Sequence, residues 1–194
     1  FAKENNIDFW EGKGVCHQVM MEHYVCPGEL IFGADSHTCS YGALGAFGTG
    51  VGCTDLLYGM VTGKSWVLVP ETVKFNLVGK LPEGVYARDL ILTIIGTIGA
   101  NGCNYQVMEF TGEGAKTLSI SERMVLCNMA VEAGAKTGIF EPDEKAIEYL
   151  EAHGRKPKAL FTSDPDAVYA REYTFDLSKI RPVVAKPDFV DNLV

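Results

Sequence analysis

The sequence is short of positive charge: 17 Lys and Arg stand against 25 Asp and Glu, a formal net charge of −8. Binding a phosphate backbone needs concentrated cation, so a nucleic-acid partner is not expected. A few local cations would still serve a small anion. Long apolar runs are also missing. The nearest, residues 89–100, is broken by Gly96 and Gly99 and falls short of the roughly 20 residues a membrane helix needs. No membrane partner is expected, and no basic-then-apolar signal pattern opens the chain. The six cysteines (Cys16, Cys26, Cys39, Cys53, Cys103, Cys127) include no CxxC pair, so no local zinc or cluster motif is visible and no metal ligand is assigned among them. They read as reduced thiols of a cytoplasmic protein. Gly63-Lys64-Ser65 lies at the wrong offset for a P-loop, Gly48-Thr49-Gly50-Val51-Gly52 misses the dinucleotide fingerprint by one position, and no GxSxG elbow is present.

What is there alternates between strand and helix patterns. Val15 to Tyr24 has helical spacing and stops at Pro27-Gly28. Glu29 to Ala34 is a short apolar strand running into the polar turn Asp35-Ser36-His37-Thr38, and ligands of open α/β sheets sit beyond the carboxyl ends of strands. Gly42 to Gly63 is dense in glycine, which is tolerable where backbones pack closely or approach a ligand. Thr54 or Asp55 is the expected cap of a helix running to Thr62. Val73, Phe75 and Leu77 alternate with polar residues as in a strand. Ala87–Gly99 reads as a helix and Tyr105–Thr111 as a strand. Ser119–Ala133 reads as a helix with capping-box spacing at Ser119 and Glu122. Lys136–Phe140 (strand), Pro142–Ala152 (helix) and Ala167–Leu177 (strand) follow, and Phe1–Asn6 reads as the end of a helix. The pattern predicts an α/β fold with a largely parallel sheet and a boundary near Pro70. The chain starts at Phe1 rather than Met and ends at Val194 without a tail signature; both ends read as cuts through a longer polypeptide.

Three groups of residues could carry chemistry. Asp35-Ser36-His37 puts a carboxylate, a hydroxyl and an imidazole in one turn after a strand, the types acid–base work needs; a capped turn would explain them equally. His17 sits on a short helix, where packing is the plainer role. Asn128 and Glu132, at i and i+4, share a helix face and either meet partners or face water.

Taken together these stretches resemble a known family. The run GADSHTCSYGALGAFGTGVG (33–52), its lead-in VCHQVMMEHYVCPGELIFGADSH (15–37) and the later LCNMAVEAGAKTGIFEPDE (126–144) are similar to signatures of the aconitase superfamily, in its isopropylmalate isomerase and homoaconitase branch. The resemblance implies three-layer α/β/α domains, with 1–69 the later part of a first domain, 70–185 a second and 186–194 the lead into a third. It implies a hydro-lyase that removes water from a small hydroxy-dicarboxylate and returns it at the neighbouring carbon. The leading reaction is isomerisation of 2- to 3-isopropylmalate in leucine biosynthesis, and homoaconitase is the alternative. A non-catalytic binding or structural piece is the reading from another class. The resemblance pairs His17 with Asp35 and His37 with Glu132 as catalytic residues, and gives Ser36 and Asn128 substrate-binding roles. It further implies a [4Fe–4S] cluster whose cysteine ligands lie outside this chain, a small-subunit partner, and a piece that is inactive alone.

Overall fold

The computed structural model describes residues 1–194. Every strand pairing in it is parallel, so the fold is α/β. After α1 (Cys16–His23), β1 (Leu30–Gly33) pairs with β2 (Phe47–Gly50), and a 3-10 helix (Ser36–Leu44) connects them. α2 (Cys53–Thr62) follows. The second sheet has the order β5-β4-β3-β6, built from β3 (Thr72–Val78), β4 (Val107–Thr111), β5 (Thr137–Phe140) and β6 (Arg171–Asp176). Its connections carry α3 (Ala87–Ile98), α4 (Glu113–Thr117), α5 (Ile120–Asn128) and α6 (Glu144–Ala152).

Alternation along β3 sends Val73, Phe75 and Leu77 into the core and leaves their neighbours half-buried. These residues join Phe110 and Phe140 from adjacent strands, and Leu90, Ile91, Ile94 and Ile95 from α3, in one cluster. That cluster reaches Met21, Val25, Tyr41 and Leu44, so a single core ties the first sheet to the second. The opposite sheet face carries Lys74, Glu109 and Glu172. The connection from α6 to β6 crosses it, where Ser163 Oγ and the Tyr169 hydroxyl donate to Glu109 Oε1 at 2.9 and 3.0 Å.

Several expectations need correction. Phe1–Asn6 forms turns, not helix. The Ser119–Ala133 stretch is α5 followed by a separate 3-10 turn, Met129–Ala133. Its capping box is present, with Ser119 and Glu122 bonding reciprocally. α2 is capped by Gly52, not by Thr54 or Asp55. β2 and α4 appear where no element was expected. No helix is long and apolar enough to cross a membrane.

Candidate active site

The site is built where the 3-10 helix meets α1 and α5. Asp35 is the N-cap of the 3-10 helix, and its carboxylate accepts from the His37 backbone N–H at 2.7 Å. The same oxygen, Oδ1, lies 2.9 Å from His17 Nε2 and 3.4 Å from His37 Nδ1. The His37 N–H first, then the His17 imidazole, hold the Asp35 carboxyl below the usual carboxylate range although it is half exposed. The other nitrogen of His17, Nδ1, is 3.2 Å from the Tyr41 hydroxyl. Burial raises the pKa of that phenol well above normal, so it remains a neutral hydroxyl. Both nitrogens of His17 are therefore engaged, which fixes its ring plane.

His17 owes its place to a helix that is poorly supported locally. α1 has eight residues, no side-chain N-cap and only Val19 and Met21 buried, too little for a helix of that length alone. The support comes from distant chain. Arg155, beyond α6, donates to the carbonyls of Val25 (2.6 Å) and Met21, and Lys158 pairs with Glu29 at 2.9 Å. A guanidinium on the last carbonyls of a helix satisfies orphan acceptors and suits the negative end of its dipole.

The glycines explain how the 3-10 helix can lie so close. A Cβ on Gly42 would run into the carbonyl of Gly138 in β5, and a Cβ on Gly50 would meet the backbone of Asp35 and Ser36. Here glycine is needed for close backbone approach. Asn128, at the end of α5, donates its amide to Ser40 Oγ at 3.0 Å, bridging helix to helix.

The expected site residues fall into two connected groups. His17, Asn128 and Glu132 line one cleft of about 790 Å³. Asp35 and His37 join His17 through the hydrogen bonds and ion pairs above. Ser36 Oγ lies 3.3 Å from His37 Nδ1. His37 bonds to Asp35 and Ser36 and has no hydrogen bond or ion pair to Glu132, which is exposed. Residue patterns did not find Tyr41, Ser40 or Arg155. Tyr41 sits two turns into a 3-10 helix without amphipathic period, and Arg155 acts through carbonyls more than a hundred residues away.

No group of three or more His, Cys, Asp or Glu side chains is arranged to hold a metal ion. Cys16 and Cys53 are exposed and the other four are buried. Burial pushes the thiols of Cys39 and Cys103 up to about 12 and about 11, and that of Cys127 well above normal, whereas a cysteine binds iron as thiolate. With no such grouping and only Cys16 and Cys53 exposed, the cysteines of this chain do not fit as the ligand set of an iron–sulfur cluster.

The sequence matches the Aconitase family (aconitate hydratase) across residues 1–194. It is 50% identical over 196 residues to the 3-isopropylmalate dehydratase large subunit of Hydrogenobaculum sp., covering 100% of this chain and 46% of that protein. Against 3-isopropylmalate dehydratase large subunit 1 of Pyrococcus furiosus it is 53% identical, covering 100% and 47%. Against the large subunit of Aquifex aeolicus it is 50% identical, covering 100% and 45%. The chain spans about half the length of the curated relatives it matches.

Proposed function

Because the chain belongs to the aconitase family, we propose that it supplies acid–base and substrate-holding groups to a hydro-lyase that isomerises 2-isopropylmalate to 3-isopropylmalate in leucine biosynthesis. One observation carries this: an imidazole held on both nitrogens, 2.9 Å from a carboxylate, opens on the same cleft as Asn128 and Glu132. The names of the three relatives above support the substrate.

Dehydration needs a proton delivered to a departing hydroxyl and one removed from the neighbouring carbon. Asp35, held ionised below the usual carboxylate range by its hydrogen bonds, orients the imidazole of His17 and, through the shared Oδ1, that of His37. With Asp35 and Tyr41 on its two nitrogens, His17 would pass a proton to substrate only by exchanging one of these partners for it. His37, more open to solvent, is the group free to exchange its proton with water between dehydration and rehydration. Ser36, beside His37, and Asn128 offer a hydroxyl and an amide oxygen to the substrate, and Glu132 adds a carboxylate to the cleft that Asn128 lines.

The family implies an iron–sulfur cluster, proposed as [4Fe–4S]. With no fitting ligand set in this chain, its ligands would come from further polypeptide, and no step is routed through it. The relatives are named large subunits, so a small subunit is the proposed partner. The proposed division is 1–69, 70–185 and 186–194, with the two larger parts sharing the core described above. The six free thiols suit a reducing compartment, and the cytoplasm is proposed.

The test is turnover by the complete two-subunit enzyme on 2-isopropylmalate, homoaconitate and citraconate, with Glu132→Gln and His17→Gln compared to wild type. Isopropylmalate should be preferred, and each variant should lose about a hundredfold or more in kcat. Near-normal turnover by both folded variants would reduce these residues to structural ones. A preference for homoaconitate would replace the substrate.

A further inference from the structure

The cleft does not end at Asn128. Ser121, Met124, Val125 and Asn128 all line it, at the i, i+3, i+4, i+7 spacing of one helix face. α5 is thus the cleft floor, about 10 Å long between Ser121 and Asn128, polar at both ends and apolar between. The lining also includes Arg88.

Arg88 is in the first turn of α3, where a cation opposes the helix dipole. The adjacent carboxylate does not compensate it: Asp89 accepts from the backbone N–H groups of Tyr86 at 2.8 Å and Val183 at 3.1 Å. Three other arginines are engaged, and Arg181, also unpaired, lies outside the cleft. Arg123 pairs with Asp143, Arg155 with carbonyls of α1 and its exit, and Arg171 with the Gly102 carbonyl and Gln106. Arg88 has no hydrogen-bond or ion-pair partner in the chain, and it borders the cleft. An exposed, unpaired guanidinium that shares a cleft with an imidazole and an amide is suited to bidentate capture of a carboxylate.

We propose that Arg88 is a substrate-binding residue, seating one carboxylate of a small dicarboxylate whose hydroxyl-bearing carbon lies toward His17 and Asn128. The identity of the ligand rests on the hydro-lyase function proposed above; the anion site itself rests on Arg88 and the cleft. Calorimetric titration of the complete two-subunit enzyme with malonate, and its KM for 2-isopropylmalate, test it. Arg88→Ala should raise the malonate Kd and that KM by roughly tenfold or more, as loss of a charged hydrogen-bonded pair does, and Arg88→Lys by less. Arg181→Ala, which removes a cation outside the cleft, should change neither. Arg88→Gln removes the charge while keeping a polar side chain and should behave as Arg88→Ala, with circular dichroism checking that each variant is folded. Equal affinities for wild type and Arg88→Gln, or no dicarboxylate binding by wild type at millimolar concentration, overturns the proposal. The two assignments fail differently. If His17→Ala and Asn128→Ala leave that KM intact while Arg88→Gln abolishes malonate binding, the anion site stands without the catalytic one.

Discussion

Residues 38–46 and 52–70 adjoin the same glycine-rich stretch yet are packed in opposite ways. Every residue from Thr38 to Ala46 is buried, whereas none from Gly52 to Pro70 is. α2 buries no side chain, and Leu57, Tyr58, Met60, Val61, Trp66, Leu68 and Val69 are all exposed. The glycines differ accordingly. Gly42 and Gly48 abut backbone of other segments, but Gly63 has nothing within reach and Gly59 only an ordinary neighbour. Glycine density alone therefore does not mark a site; what matters is whether another backbone occupies the space a side chain would need.

Gly42→Ala should break this contrast most severely. The new methyl would overlap the Gly138 carbonyl, and both partners are main chain inside a 3-10 helix and a strand, so neither can turn aside. A loss of about 3 kcal/mol or more is expected, measured by urea unfolding. The 3-10 helix should be displaced with it, carrying Asp35 out of hydrogen-bonding distance of His17. A fully stable Gly42→Ala protein would mean that the 3-10 helix does not lie on β5.

The buried side is also braced by α5, which packs on the 3-10 helix and is locked by an ion pair. Arg123, 1% exposed, meets Asp143 at 2.9 and 2.5 Å, and Asp143 also accepts from the Ala146 N–H as the cap of α6. Burial pushes the Asp143 carboxyl up, but the Arg123 hydrogen bonds and charge outweigh it and the pKa is lowered. A lowered native pKa means stability that is fully present above the ordinary carboxylate range and is lost as pH falls through the native value. Arg123→Ala leaves a half-buried carboxylate uncompensated and should cost about 3–5 kcal/mol at neutral pH. The gap between variant and wild type should narrow as pH falls through the lowered native pKa of Asp143, because the carboxyl is protonated in both once that value is passed. Amide exchange should rise in 36–44 and stay unchanged in 53–62. Equal loosening of both segments would erase the distinction between them.

How much of this was legible beforehand depends on the range of the forces involved. β3 announced itself because Val73, Phe75 and Leu77 alternate, and the start of α5 because Ser119 and Glu122 satisfy each other within one turn. Those are local effects. β2, reading Phe-Gly-Thr-Gly, has no strand-like composition, and its pairing with β1 is a tertiary event. α4 is five residues, too short to show a period. The end of α5 at Asn128 was hidden because the apolar spacing runs on through the 3-10 turn. At the site, residue types pointed to Asp35, Ser36 and His37 as one polar turn, and only the family resemblance joined them to His17, Asn128 and Glu132. The distances, the sharing of Asp35 by two imidazoles and the roles of Tyr41, Arg155 and Arg88 depend on interactions between segments, for which no local pattern exists.

The smallest expected effect belongs to the exposed side. Gly59 lies inside α2, away from its ends, and a Cβ there would find only the Lys64 carbonyl at 3.8 Å, ordinary van der Waals separation. Glycine in a helix interior costs about 1 kcal/mol relative to alanine, largely because the unfolded chain is freer, and nothing around α2 offsets that. Gly59→Ala should therefore raise stability, by about 0.4–1 kcal/mol, with α2 more helical by circular dichroism and dicarboxylate affinity unchanged. The same chemical change would thus stabilise at 59 and destabilise at 42. A loss of stability at Gly59 would mean that α2 rests against a surface of its own, and that the contrast between the two halves is one of packing partner and not of packing itself.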